Sequence, residues 1–257
     1  MALSLFADSI DNSGSAATPI LFLHGFGGVG AQWWGLQTEL SFKAPTLAYD
    51  LPGHGRSVGF PKAGPPKIAA RAVIADLEAR GIQKAHFVGH SMGGAISSLI
   101  ALMAPERVAS LTLLAPGGYG TEVNHSRLKD WAAARSATDL RAVLPHFFGP
   151  DYEISNKMID FQLNVRKRQG AVESLISIAD ELFEGGVQGE LPIDDILALK
   201  LPMSVIWGRL DDIVPASHAE RLNGHVDLHL LDRVGHSPVD EDPELVRNTI
   251  LKIISTA

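Results

Sequence analysis

The chain is predicted to fold as an open, mostly parallel, doubly wound α/β sheet with a helical cap inserted between two strands. Short β-type runs alternate with amphipathic helical patterns over most of the 257 residues, as in parallel strands joined by crossover helices. Residues 117–190 break this alternation, because they carry helical patterns and no convincing strand. We therefore expect a core of residues 1–116 and 191–257, and a cap of residues 117–190 over the C-terminal edge of the sheet, where open α/β folds bind ligands.

The individual elements follow from apolar periodicity. Each predicted strand is a short apolar run, and each predicted helix repeats apolar residues at three- and four-residue spacing, as Ala95, Ile96, Leu99 and Ile100 do. The predicted strands cover residues 20–23, 46–49, 85–88, 110–114, 204–207 and 226–231. The predicted core helices cover residues 31–40, 67–80, 92–103 and 244–254, and the helical patterns of the cap cover residues 126–136, 138–147, 155–169 and 172–183.

The composition restricts the class of partner. The formal net charge is -7 and no run of Lys or Arg occurs, so binding along a nucleic acid is not expected. The chain has no cysteine, which excludes disulfides and thiolate chemistry. Residues 1–10 do not resemble a signal peptide, and no apolar run approaches the roughly 20 residues that span a bilayer. We expect a soluble, cytoplasmic domain that binds a small molecule and neither nucleic acid nor membrane; no pattern indicates its oligomeric state.

The sequence Gly-His-Ser-Met-Gly at residues 89–93 is the strongest candidate for a catalytic motif. It lies between the predicted strand at 85–88 and the predicted helix at 92–103, which is where a nucleophile elbow belongs. The flanking glycines allow a strained turn that holds the hydroxyl of Ser91 at the edge of the sheet. The motif therefore predicts a serine nucleophile. The alternative is a tight turn whose serine only caps the helix.

A serine nucleophile needs a general base, which in nucleophile-elbow folds follows the serine in the chain, with an acid between them. His236 is the candidate, because it lies in a loop just after the predicted strand at 226–231, where a side chain can reach across the sheet edge. A surface-loop histidine is the alternative. Three other histidines lie downstream: His218 is at the expected start of a helix, whereas His225 and His229 border or occupy a strand and are expected to be structural or solvated.

The candidate acid is Asp211, which follows the predicted strand at 204–207. The neighbouring Asp212 is the alternative, and Asp211 is preferred because of its position relative to Gly208 and Pro215. The other common location, after the fourth predicted strand, holds Ala-Pro-Gly and no acid. The carboxylate would accept a hydrogen bond from the imidazole, fix its tautomer and stabilise the imidazolium that forms.

The sequence His-Gly-Phe-Gly-Gly at residues 24–28 follows the predicted strand at 20–23 and is predicted to form part of an oxyanion hole. We expect the backbone N–H groups of Phe26 and Met92 to be the donors, because Met92 begins a helix whose dipole adds positive potential there. The alternative is a glycine-rich phosphate loop, but no Lys-Ser or Lys-Thr pair follows.

The turn-rich loop at residues 50–57 follows the predicted strand at 46–49. Asp50 precedes the candidate serine in the chain, so we expect it to order the turn rather than to serve as the catalytic acid. We expect a structural role for His54 as well.

The sequence indicates the substrate-contacting residues less clearly than it indicates the catalytic motifs. The candidates for a substrate pocket are His24, Trp33, Trp131, Phe147 and Phe148. For the aromatic residues the alternative is ordinary packing between cap and core. No cluster of metal-ligating residues is evident in the sequence and the inferred chemistry needs none, so we expect no metal and no cofactor.

The motifs resemble those of the alpha/beta-hydrolase superfamily and follow the same order along the chain. The resemblance rests on His-Gly at 24–25, the loop at 50–57, Ser91, the segment 208–215 and Gly-His at 235–236. It implies the alpha/beta-hydrolase fold with Ser91, Asp211 and His236 as the catalytic residues.

Within that superfamily, the chain resembles in particular the hydrolase-like C-terminal domain of the acyltransferase component of acetoin dehydrogenase systems. This likeness rests on residues 91–94, 111–120 and 181–186. Those proteins also carry a lipoyl domain with an Asp-Lys-Ala site, which is absent here, so we expect a free-standing relative. Haloalkane dehalogenases are similar but use an aspartate where Ser91 stands, and meta-cleavage hydrolases have a tryptophan where Ser237 stands.

Residues and resemblance together imply a carboxylesterase-like serine hydrolase of class EC 3.1. It would cleave a small carboxylic ester or thioester through an acyl-enzyme. The alternatives are an acyltransferase or a cofactor-free perhydrolase that uses the same three residues, and a small-molecule-binding receptor that has kept the fold and lost turnover. Analogy of fold does not choose between these activities.

Overall fold

The molecule is built on one seven-stranded sheet, in the order β1-β3-β2-β4-β5-β6-β7. The computed structural model of the chain describes residues 5–256. All neighbouring strands run parallel except β1, which pairs antiparallel with β3. The strands are β1 Ala7–Ile10, β2 Ile20–Leu23, β3 Thr46–Tyr49, β4 Ala85–His90, β5 Val108–Leu114, β6 Met203–Gly208 and β7 Asp227–Leu231. The predicted fold class is confirmed.

All six predicted strands are present, and β1 is the strand that the sequence did not predict. Its four residues, Ala-Asp-Ser-Ile, are polar in the middle and only partly buried, so they carry no apolar run. The strand is held by its antiparallel register with β3 and by the hydroxyl of Thr46, which donates to the carbonyl oxygen of Ile10 at 2.9 Å. Such a strand depends on its partner and not on its own propensity.

Helices cover both faces of the sheet, because successive side chains of each buried strand point to opposite faces. In β2, Ile20 and Phe22 belong to the cluster that packs against α1 and α10, whereas Leu21 and Leu23 belong to the cluster that packs against α2, α3 and α8. The core helices are α1 Trp34–Leu40, α2 Pro66–Ala79, α3 Met92–Met103, α8 Ile193–Ala198, α9 Pro238–Glu241 and α10 Pro243–Ile254.

Four α-helices occupy the predicted cap segment. They are α4 His125–Ala133, α5 Ala137–Val143, α6 Asn156–Arg166 and α7 Ala171–Leu182. Buried cap residues such as Leu128 and Leu175 form one continuous cluster with core residues such as Leu23 and Phe87. The cap therefore shares its hydrophobic core with one face of the sheet, and a boundary at residues 117 and 190 stays a prediction.

Short 3-10 turns complete the connections, at Gly30–Trp33, Gly55–Ser57, Pro105–Arg107, Leu144–Phe147, Glu184–Gly186 and Ala216–Leu222. Within residues 5–256, no helix has both the length and the apolar character needed to cross a bilayer. The cellular location stays a prediction.

Helix α3 lies unusually close to strand β2, because Gly93 faces the end of that strand. A methyl group at residue 93 would lie 2.1 Å from the carbonyl oxygen of Leu23, which is backbone and has little freedom to move. By contrast, a methyl group on Gly35, at the exposed start of α1, would meet no atom within 4 Å.

These two glycines give a matched pair of substitutions. We expect Gly93→Ala to lower the free energy of unfolding by about 1–3 kcal/mol, since overpacking forces the backbone to shift. Gly35→Ala should raise it by about 0.5–1 kcal/mol, because glycine inside a helix costs conformational entropy. Urea unfolding of both variants checks this; equal stability of the two would contradict the close approach of α3 to β2.

Candidate active site

Ser91 occupies the turn between β4 and α3 in a left-handed backbone conformation, with φ 53° and ψ -116°. A residue other than glycine adopts positive φ at a cost of roughly 1–3 kcal/mol, so its surroundings must hold it there. Two backbone hydrogen bonds hold Ser91 in this conformation. Its N–H donates to the carbonyl oxygen of Leu114 at 2.9 Å, and its carbonyl accepts from the N–H of Gly117 at 3.0 Å. The turn presents the serine side chain above the C-terminal edge of the sheet.

Asp211 and His236 form a buried pair, with 2.7 Å between the carboxylate Oδ2 and the imidazole Nδ1. The Asp211 side chain is fully buried. Its Oδ1 accepts from the N–H groups of Ile213 and Val214 at 2.8 and 2.9 Å, and its Oδ2 also accepts from Nε1 of Trp207 at 3.1 Å. Four hydrogen bonds thus fix the carboxylate, which in turn fixes Nδ1 of His236 as the protonated nitrogen and leaves Nε2 free to accept a proton.

The backbone of His236 is held independently of its side chain. Its N–H donates to the carbonyl oxygen of Phe147 at 2.9 Å, and its carbonyl accepts from Nε2 of His90 at 2.7 Å. Burial lowers the pKa of His90 to about 3, so that ring is neutral. Ser91 and His236 line the same cavity, and no hydrogen bond joins their side chains among the described residues. Contacts of this kind commonly tighten when a substrate binds.

The other sequence candidates for acid and base lie elsewhere. Asp212 is exposed and faces His146, with 3.3 Å between Oδ2 and Nδ1. His218 is buried beside Glu122, with 2.9 Å between Nε2 and Oε2. His229 lies on β7 near Asp227, and His225 is exposed.

The loop at residues 24–28 is tied to the loop at 50–57 by two buried histidines. His24 Nε2 accepts from the N–H of Leu51 at 3.0 Å, and His54 Nε2 accepts from the N–H of Gly27 at 3.1 Å. Burial lowers the pKa of His24 to about 4 and that of His54 to about 3. Both rings are therefore neutral near pH 7, which is the state that can accept these hydrogen bonds.

The peptide bond between Phe26 and Gly27 is held at both ends. Its N–H donates to His54, while its carbonyl accepts from Nε1 of Trp131 in the cap at 3.2 Å. The indole lies directly against Gly27, where a methyl group would come within 2.1 Å of Nε1. The guanidinium of Arg166 stacks 4.0 Å from the centre of the Trp131 ring and donates to the Trp131 carbonyl. Core and cap together thus orient this peptide plane.

Two backbone N–H groups beside Ser91, those of Phe26 and Met92, have no acceptor among the described residues. Phe26 follows Gly25, which packs against Ser91: a methyl group on Gly25 would lie 3.2 Å from the serine Cβ. Met92 is the first residue of α3, whose initial N–H groups have no partner within the helix. Free N–H groups next to a nucleophile are what an oxyanion hole requires.

A cavity of about 340 Å³ opens beside Ser91 and His236, and we call it the histidine-side cavity. Trp131, Phe147 and Phe148, all predicted to contact a substrate, line it. Sequence patterns did not mark the polar residues of its wall, which come from separate elements and meet only in the folded chain. These are Gln32, Lys157, Gln162 and Asp240.

The prediction that His24 and Trp33 line the pocket is wrong. His24 is fully buried and uses both ring nitrogens on backbone groups, because it braces the loop from beneath. Trp33 is fully buried against Phe22, with ring centres 5.3 Å apart, in the cluster under α1 and α10. It is a core residue.

Ser91 also lines a second cavity of about 220 Å³, and we call it the apolar cavity. Ser91, Phe26 and Leu128 line both cavities. The remaining wall is mostly apolar and comes from the start of α2, from α3, from the end of α7 and from the loops around them; its charged and amide side chains are Lys67, Gln188 and Glu190. It includes Met92, Ala95, Leu99, Val123, Leu182, Phe183, Leu191 and Val214. Neither cavity contains a group of three or more His, Asp or Glu that could hold a metal ion, and no other part of residues 5–256 does.

A family model described as the alpha/beta hydrolase family matches residues 20–249. The chain belongs to this family. This alpha/beta hydrolase is 34% identical over 225 residues to the dihydrolipoyllysine-residue acetyltransferase component of the acetoin cleaving system of Cupriavidus necator. That alignment covers 87% of this chain but 60% of the relative, so the chain spans less than two thirds of that protein. The likeness predicted from sequence is confirmed.

This alpha/beta hydrolase is also similar to a dienoate hydrolase and to a meta-cleavage product hydrolase. It is 28% identical to the 2-hydroxy-6-oxo-2,4-heptadienoate hydrolase of Pseudomonas putida, over 86% of this chain and 83% of that one. A meta-cleavage product hydrolase from Pseudomonas fluorescens superposes with a TM-score of 0.86 at 22% identity, covering 98% of this chain and 94% of the other. At that identity the structural match establishes the fold and no more.

The buried neutral histidines predict a pH dependence of stability. In the unfolded chain His54 has an ordinary pKa near 6.5 and takes up a proton as the pH falls below that value, whereas in the folded chain its pKa is about 3. The free energy of unfolding should therefore decrease as the pH falls from about 7 to about 5, by up to about 1.4 kcal/mol per pH unit for each such histidine. We expect His54→Gln to show a shallower decrease in urea unfolding.

Exposed His225 provides the matched control, because His225→Gln removes a histidine that is not buried. This variant should keep the wild-type slope. If His54→Gln also keeps it, the assignment of His54 as a neutral brace under Gly27 is wrong.

Proposed function

We propose that the protein is a serine hydrolase that cleaves a carboxylic ester or thioester through a covalent acyl-enzyme. Ser91 is the nucleophile, His236 the general base and Asp211 the residue that orients it. The observation that carries this proposal is the 2.7 Å hydrogen bond from Nδ1 of His236 to the buried Asp211 carboxylate, because it leaves Nε2 available in the cavity that Ser91 lines.

The reaction proceeds in two half-reactions, acylation of Ser91 and hydrolysis of the acyl-enzyme. The Ser91 hydroxyl attacks the substrate carbonyl, an Oγ–C bond forms, and the hydroxyl proton passes to Nε2 of His236. The resulting oxyanion accepts from the N–H groups of Phe26 and Met92. When the bond to the leaving oxygen or sulfur breaks, the proton passes from Nε2 to that atom. Water then repeats the sequence on the acyl-enzyme and releases a carboxylic acid.

The electrostatics of the site favour these steps. The negative charge of Asp211 lies 2.7 Å from the ring that becomes positive during attack, which stabilises the imidazolium. The N-terminus of α3, a helix of 12 residues, begins at Met92, so its dipole places positive potential where the oxyanion forms. Neither contribution requires a conformational change at the moment of reaction.

Acyl transfer is the second candidate, and the likeness to the acetyltransferase component of Cupriavidus necator favours it. The same acyl-enzyme transfers its acyl group whenever a thiol, an alcohol or hydrogen peroxide replaces water in the second half-reaction. The histidine-side cavity, at about 340 Å³, has room for an acceptor larger than water.

Replacement of the nucleophile tests the proposal. We expect Ser91→Ala to reduce turnover of p-nitrophenyl acetate and of an acetyl thioester by roughly 10³-fold or more, since little but the oxyanion hole then remains. Ser237→Ala is the matched control, because Ser237 lines the same cavity next to His236; it should retain turnover within a few fold.

A fluorophosphonate probe gives an independent reading, because it reacts only with an activated serine. Peptide mass spectrometry of the labelled wild type should place the adduct on Ser91. Wild-type turnover that persists in Ser91→Ala would refute the assignment of the nucleophile. If the wild type neither turns over nor reacts with the probe, the chain is a binding protein on a hydrolase fold.

A further inference from the structure

We propose that the leaving group of the substrate ends in a phosphate monoester, which binds in a groove outside the histidine-side cavity. The groove lies between the core and helix α6 of the cap and has a volume of about 450 Å³. Its cations are Arg56 of the core and Lys167 and Arg168 of the cap, so we call it the basic groove. This inference rests on the proposed function and names a substrate class for it.

The basic groove continues the histidine-side cavity along α6. Ala31 and Phe161 line both spaces. Met158, near the start of α6, lines the histidine-side cavity, whereas Lys167, which follows the last residue of the helix, lines the basic groove. At a rise of about 1.5 Å per residue, these two positions lie about 14 Å apart along the helix. A flexible chain of about a dozen bonds covers that distance.

The core side of the groove holds its cation in a fixed place. The guanidinium of Arg56 stacks 4.2 Å from the centre of the Phe6 ring. The Asp8 carboxylate lies 3.9 Å from the same guanidinium, and both side chains of this pair are about half exposed, so it is a weak ion pair. Arg56 therefore keeps N–H donors that face solvent.

The cap side of the groove holds two cations without an anionic partner. Lys167 and Arg168 are exposed and form no ion pair with any described residue. Lys167 donates one hydrogen bond to Oδ1 of Asn164 at 3.1 Å, which leaves two N–H donors of its ammonium group. An anionic ligand can therefore be bound here without breaking an existing ion pair.

The other carboxylate of the groove wall is Asp50, and it is already engaged. It is buried, and its two oxygens accept from the N–H groups of Gly30 and Arg56, both at 2.7 Å. Gly55 covers it, since a methyl group there would lie 2.3 Å from Oδ2. With Asp8 beside Arg56, the wall keeps an excess of positive charge, although the whole chain has a net charge of -7.

The mechanism places the leaving group on the path to this groove. His236 returns a proton to the departing atom, and His236 lines the histidine-side cavity. Neighbouring lysine and arginine side chains suit a phosphate, because the planar guanidinium binds two of its oxygens while the ammonium contributes a point charge. A phosphate at the far end of the leaving group thus reaches three cations while the ester carbonyl lies at Ser91.

Matched acetate esters test the basic groove. Monoacetates of tetraethylene glycol with a terminal hydroxyl or a terminal phosphate differ only in the anion, and their chain spans the distance along α6. The same pair built on ethylene glycol is too short to reach the groove. It also gains little in the histidine-side cavity, because a cation and a carboxylate, Lys157 and Asp240, both line that space.

For the wild type at low ionic strength, we expect the KM of the long phosphate ester to be about tenfold lower than that of the long hydroxyl ester, since each exposed cation contributes up to about fivefold. The kcat values should be similar, because binding far from the carbonyl acts equally on ground state and transition state. The short pair should show no such difference. In about 1 M salt, where the screening length is about 3 Å, the advantage of the long phosphate ester should disappear.

Substitutions assign the effect to the groove. The double variant Lys167→Gln, Arg168→Gln should reduce the ratio of the two long-ester KM values at least threefold, whereas Lys167→Arg, Arg168→Lys should preserve most of it. Lys43→Gln is the matched control, because Lys43 is exposed, forms no ion pair with a described residue and lines none of the three cavities. It should keep the wild-type ratio.

Three results would overturn the proposal while the hydrolase assignment stands: equal KM values for the two long esters, the same phosphate advantage in the short pair, or an unchanged ratio in the double glutamine variant. Hydrolysis of the hydroxyl esters that is lost in Ser91→Ala reports on the hydrolase assignment separately. If the wild type hydrolyses none of these esters and fluorophosphonate leaves Ser91 unlabelled, the proposed function fails and this inference fails with it.

Discussion

The left-handed turn at Ser91 is the constraint on which the rest of the site depends. A non-glycine residue at φ 53° reverses the chain between β4 and α3 within one residue, and this places the first turn of α3 against the end of β2. Only a glycine at position 93 permits that approach, because a methyl group would meet the Leu23 carbonyl. The same turn leaves the Met92 N–H beside the serine, without an acceptor among residues 5–256. The positions of the candidate nucleophile and of one candidate oxyanion donor thus both follow from one backbone conformation.

The second candidate donor, the Phe26 N–H, belongs to the peptide bond just before one that is held from two sides. The Phe26–Gly27 peptide is held from the core by His54 and from the cap by Trp131, whose ring carries the stacked Arg166. The cap therefore also fixes the loop at residues 24–28 next to Ser91. Because the same indole lines the histidine-side cavity, a ligand that contacts Trp131 would touch a side chain that is hydrogen-bonded to this loop.

The fold and the hydrogen bond between Asp211 and His236, beside the cavity that Ser91 lines, could be predicted because each follows from a local pattern. Strand runs, glycine spacing and the order of serine, acid and histidine along the chain are all visible without coordinates. Other features depend on tertiary contacts that no local pattern encodes. The polar strand β1 forms only because β3 offers it a partner, and His24 was mistaken for a pocket residue because its position in the loop does not reveal that it points beneath it. The two cavities that Ser91 lines arise from α3, α7 and the cap loops together.

The most direct test of the account is intact-mass measurement of the protein, acid-quenched within its first turnovers of p-nitrophenyl octanoate. We expect a species heavier by one octanoyl group, with the added mass on the peptide that contains Ser91 and absent in Ser91→Ala. Turnover of the ester without any acylated species, combined with retained turnover in Ser91→Ala, would contradict it, as would an acyl group found on another residue whose removal abolishes the reaction.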